Sequence, residues 1–216
     1  SLRRLTMSIL VLTSDTLISP AAVGNIEYSS PIFTGTPVGT QRGIVPTQQY
    51  YRLDSALAGA NSTSAQNIFG VGCTLSSSTV YEFEMVFICT KSAGSTSHNF
   101  SLSFGGTATL NNIFYYGLAQ YQGTTAYSDG NSTANFSRQS GTVATALVIG
   151  AGLSGTGSYV LLSIRGTVSV NAGGTFIPQY TLSAAPGGAY STAAGSFIRI
   201  APIGASGSAT NVGTWA

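Results

Sequence analysis

Residues 79–91, TVYEFEMVFICTK, alternate with a period of two. Tyr81, Phe83, Met85, Phe87 and Cys89 fall on one side, and Val80, Glu82, Glu84, Val86 and Ile88 on the other. That period is the signature of a strand with one face toward a core. HNFSLSF repeats it with Phe100, Leu102 and Phe104. TVATALVIGAGL, SYVLLSIRGTVSV, TFIPQYTLSA and SFIRIAPIG are further strand candidates, split by Gly, Ser and Asn clusters. Only TQQYYRLDSALAG offers a short helix. Many short strands separated by turn signals predict an all-β antiparallel sandwich or jelly roll. The strands do not alternate with helical patterns, which argues against a parallel α/β sheet.

The first 55 residues read differently. Pro20, Pro31, Pro37 and Pro46 punctuate short apolar pieces. The pattern predicts an extended N-terminal arm over 1–55 and a β-sandwich domain over 56–216. Such an arm is too small to fold alone. Ile9, Leu10, Val11 and Leu12 are expected to dock on an adjacent subunit or a larger particle and anchor the protein there.

Composition sharpens this picture. Only 6% of the 216 residues are charged, against about 25% in ordinary soluble proteins. Hydrophobic residues reach 43% and the net charge is +2, the opposite of a disordered chain. The surface is therefore built from Ser, Thr, Asn, Gln and Gly, and its near-zero charge favours association. Lys91 is the sole lysine and no Lys/Arg stripe exists, so nucleic acid is not an expected partner. No apolar run approaches the roughly 20 residues a bilayer span needs, and no membrane insertion is expected. Cys73 and Cys89 read as two buried thiols, since Cys89 sits inside an apolar run.

Candidate chemistry is thin. Gly150, Gly152 and Gly155 spell G-x-G-x-x-G, but a strand pattern follows where a dinucleotide site needs a helix, and no acidic residue lies downstream. Glu82 and Glu84 are a close carboxylate pair on one strand face, a spacing a glycosidase could use. They read better as acids on the wetter face pairing with Arg on neighbouring strands. His98 is the sole histidine, and no G-x-S-x-G elbow accompanies it. The Asn-x-Ser/Thr matches at Asn61, Asn99, Asn131 and Asn135 are chance in so Asn- and Ser-rich a chain. No catalytic residue, metal or cofactor is expected. The segment from Asn111 to Phe136 is more informative. It interleaves Tyr115, Tyr116, Tyr121 and Tyr127 with small uncharged polar residues, the make-up of an adaptable recognition surface for a glycan or protein. The competing reading has these tyrosines packing on a neighbouring subunit.

EYSSPIFTGTP, QRGIVPTQQYYRL, FGVGCTLSSSTVYEFE, the long run GTVSVNAGGTFIPQYTLSAAPGGAYSTAAGSFIRIAPIG and the terminal NVGTWA resemble the C-terminal region of minor structural, tail or fibre proteins of tailed bacteriophages. The resemblance runs from about Asn25 onward, and residues 176–204 are its most specific part. It implies a homotrimeric β-sandwich or jelly-roll tip similar to the complement C1q and tumour-necrosis-factor fold, exposed on a virion and contacting the host surface. It implies other virion proteins as partners of the arm and supplies no catalytic residues. On this reading Phe176, Tyr180, Tyr190 and Phe197 are core or subunit-interface residues. The alternatives are a capsid decoration or head-fibre subunit without a ligand, and a glycan hydrolase using Glu82 and Glu84.

Overall fold

A computed structural model describes residues 12–122, 132–140 and 146–215, with side chains outside 122–145. All regular structure among them is β. The first strands are β1 (Ile26–Ser29), β2 (Ile32–Val38) and β3 (Gln41–Val45). Then come β4 (Gln49–Arg52), β5 (Leu57–Ala58), β6 (Gln66–Asn67) and β7 (Cys73–Leu75). β8 (Thr79–Thr90), β9 (His98–Gly105), β10 (Thr109–Gln122), β11 (Ser132–Ser140) and β12 (Leu147–Leu153) follow. β13 (Tyr159–Ala172), β14 (Gly174–Leu182), β15 (Ser191–Thr192) and β16 (Phe197–Ala205) complete the set.

Two antiparallel sheets face each other. The broad sheet runs β11–β10–β13–β8–β16–β4, with the short β15 and β5 continuing beside the far end of β8. The second sheet runs β12–β9–β14, and β6 and β7 lie end to end along the other side of β14. The eight principal strands thus fall into the orders 4–16–8–13 and 7–14–9–12, the strand order of a jelly roll. The hairpin β10–β11 is inserted between β9 and β12 and widens the broad sheet beyond β13.

The core forms where the inward faces meet. Tyr81, Phe83, Met85, Phe87 and Cys89 are all buried, as the alternation in β8 requires. Phe104 of β9 meets Phe83 of β8 edge-on at 5.6 Å and stacks on Phe176 of β14 at 4.9 Å. Pro178 occupies a central strand, where a proline normally removes a ladder bond. It does so without loss here, because it falls in the gap between β7 and β6 and its carbonyl accepts from the Ile68 amide.

Three sequence expectations change. TQQYYRLDSALAG is no helix: Gln49–Arg52 is strand, paired with β16 from Phe197 to Ile200. The sandwich therefore begins near Gln49 rather than at 56, and Leu53 is already buried in its core. The arm is not simply extended. β1, β2 and β3 form a three-stranded antiparallel sheet, closed on one side by Glu27, which pairs with Arg42 at 2.8 Å and accepts from the Ile18 amide. Leu12 is exposed, while Ile9, Leu10 and Val11 lie outside the described residues.

Cys73 and Cys89 are free thiols. Burial pushes the Cys89 thiol up to about 12, against a weaker opposing hydrogen bond from Thr192. His98 is buried too. Its Nδ1–H donates to the Thr96 carbonyl at 2.7 Å, which leaves Nε2 to accept from the Tyr190 hydroxyl at 2.8 Å. Desolvation holds the His98 pKa below its ordinary 6.5; the Thr96 contact opposes this and the nearby Lys91 charge adds to it. The unfolded chain therefore takes up this proton first as pH falls. Stability contributed by neutral His98 is complete above pH 6.5 and is lost progressively below it. Denaturant unfolding at stepped pH is expected to show that decline, and His98→Gln is expected to flatten it.

Candidate functional site: the outer face of the broad sheet

The second face of the broad sheet points largely to solvent, with Ala201 of β16 buried within it, and its residues are set in rows by strand register. One row reads Tyr50, Arg199, Glu84, Arg165, Tyr116 across β4, β16, β8, β13 and β10. The row beside it reads Ala201, Glu82, Thr167, Phe114, and the row on the other side Phe197, Val86, Ser163, Leu118.

Glu84 organises the middle row. Its Oε2 accepts from Arg199 through both Nε, at 3.1 Å, and Nη2, and lies 3.3 Å from Nε of Arg165. Two guanidiniums on one carboxylate oxygen fix the rotamers of all three side chains. Around them lies an unusual amount of exposed apolar surface. Phe114 is 42% exposed, Tyr116 52% and Leu118 43%. Tyr50 stacks on Phe197 at 5.7 Å, and Phe114 leans on Tyr116 at 6.2 Å. A shallow cleft of about 370 Å³ runs among Gln48, Glu82, Glu84, Phe114, Tyr116 and Arg165. Glu82, Glu84, Arg165 and Arg199 cancel, and Arg52, opposite Phe197 on β4, is paired with Asp54 at 3.0 Å.

The proposed tyrosine cluster does not assemble. β10 alternates like any strand, so Tyr115 points inward, 2% exposed and edge-on to Phe104 at 5.4 Å. Tyr121 shares that parity and packs against the core. Tyr116 alone of the three faces solvent, and Tyr127 lies outside the described residues. Of the two readings of Phe176, Tyr180 and Tyr190, core and subunit interface, the core holds. Each is buried inside the single chain, because β14 and the 190 segment line the sandwich interior beside Phe100. Phe197 does stay partly exposed on the outer face. Phe114 and Leu118 were missed, although their period-two spacing with Tyr116 stands in the sequence. Of the two candidate acids, Glu84 is paired with arginines on the neighbouring strands. Gly150 and Gly152 lie within strand β12, not at a helix N-terminus. Among the described residues no three His, Cys, Asp or Glu side chains gather as a metal site.

The chain matches no known family model and no curated protein sequence. It aligns with a chain in a structure of infectious bursal disease virus Gt strain at 9% identity and a TM-score of 0.17. That alignment covers 87% of this chain and 54% of the viral one. The chain thus spans about half the viral chain's length, and a likeness this faint carries no argument. What the outer face can do follows from its own surface.

Proposed function

We propose that this protein is a structural subunit of a virion that assembles with copies of itself, as the homotrimeric fibre or spike tip of a tailed bacteriophage. The observation that supports this best is the outer face of the broad sheet. Contiguous exposed aromatic and aliphatic side chains surrounding internally paired charge mark a surface meant to be covered. Near neutrality lets copies of this face gather around a common axis without repulsion. Glu84 in this reading orders arginines and does no chemistry, so Glu84→Gln leaves any glycan cleavage unchanged.

The test is light scattering coupled to gel filtration. The wild type is expected to run as an oligomer. Leu118→Asp and Tyr116→Asp place a charge in the contact without touching the core, and each is expected to weaken association roughly thirtyfold or more at an unchanged melting temperature. A wild-type monomer throughout the micromolar range would sink the proposal.

A purely structural role, as a capsid decoration or head-fibre subunit, gains from one observation. With Tyr115 and Tyr121 turned into the core and Tyr127 outside the described residues, host recognition by the Asn111–Phe136 segment keeps only Tyr116 of its described tyrosines. Binding of the purified protein to host cells separates the two roles, since a decoration subunit does not bind.

A further inference from the structure

We propose that Glu82 of one copy pairs with Arg165 of a second copy across the outer face of the broad sheet. The inference rests on the self-association reading and adds the contact that sets the register of the two faces. Glu82 is exposed, and among the described residues it has neither a hydrogen bond nor an ion pair. Its neighbour Glu84 takes both arginines instead. Arg165 is 62% exposed and approaches Glu84 most closely through Nε, at 3.3 Å. Its two Nη groups, the fork that recognises carboxylates, make no hydrogen bond among the described residues. The face thus carries one unspent acid and one unspent base.

The two lie on adjacent strands, one row apart, since Glu82 stands opposite Thr167 and Arg165 opposite Glu84. The Arg165–Glu84 contact holds the guanidinium in the Glu84 row, away from Glu82. When Phe114, Tyr116 and Leu118 are covered, both charges leave water with them, and a buried charge without a partner is strongly disfavoured. A second copy brings the matching group: around the threefold axis of a homotrimer the acid of each face meets the base of the next copy, and its base the acid of the copy before. Apolar area then supplies most of the affinity, and the ion pair decides which of the possible slides along the face is taken. A partner of different chemistry fits less well, since the remaining charge on the face is balanced.

Sedimentation of the full chain tests this. Glu82→Lys and Arg165→Glu are each expected to weaken self-association about tenfold or more, because each brings like charges together. The double reversal Glu82→Lys/Arg165→Glu is expected to restore it to near the wild-type value. Glu82→Gln and Arg165→Gln, singly and together, read the same coupling through neutral side chains should a reversal fail to fold; their effects are expected to be non-additive. Additive or absent effects in a protein that still forms its oligomer overturn the ion pair and leave the self-association reading standing. A wild-type monomer overturns both.

Discussion

Phe100→Ala is expected to lower the unfolding free energy by about 3–5 kcal/mol. The ring is wholly buried on β9. It stacks on Tyr180 at 4.7 Å and receives the edge of Tyr190 at 5.5 Å, so its loss opens a cavity that two large rings line. Those rings are also tied outward, Tyr180 to Gln66 and Tyr190 to His98. They cannot collapse into the void without giving up those hydrogen bonds, which places the effect toward the upper part of the range. Denaturant titration followed by tyrosine fluorescence measures it. A loss below about 1 kcal/mol, smaller than that of an ordinary buried deletion, contradicts the packing described.

Gly166→Ala is the second large effect, and its origin is the reverse. Gly166 stands on the inward face of β13 between Phe83 and Tyr115. A methyl group there would strike the Phe114 carbonyl oxygen and come within 2.7 Å of the Tyr115 Cβ. These atoms belong to β10, which β13 holds by its ladder, so the two strands must part. Overpacking of this kind costs about 1–3 kcal/mol, sometimes more. It also displaces Phe114 and Tyr116 on the outer face, so stability and self-association are expected to fall together. Gly157→Ala is the control: a Cβ there meets nothing within 4 Å, and its melting temperature is expected to match the wild type.

The sequence-level reading reached the class of fold because β8 and β9 carry a clean alternation, and their inward residues could be named one by one. It missed β4, a strand of four residues with every side chain exposed. Nothing in QYYR announces a strand; the ladder offered by β16 makes it one, and that strand lies at the opposite end of the chain. For β10 the period was legible but its phase was not. IFYYGL is apolar at both parities, and only the meeting of Tyr115 with Phe104 decides which side is inside. The arginine–glutamate row was half visible. Glu84 suggested a partner on a neighbouring strand, but Arg165 and Arg199 lie far along the chain, and strand order alone brings them together.

The pairing of β4 with β16 sets the pace at which this molecule comes into being. The first strand of the broad sheet finds its ladder partner only in the last, and β8 needs that same last strand along one side. A ribosome releasing the chain from its N-terminus delivers β4 and β8 long before β16 exists. Until then the aromatic rows of β8, β9 and β10 have at most a partial sheet to cover them. Closure of such distant pairs is slow, in the millisecond-to-second class of all-β folds. During that interval the nascent protein is a natural client for chaperones, and crowded synthesis at high temperature is where its yield is most exposed to aggregation.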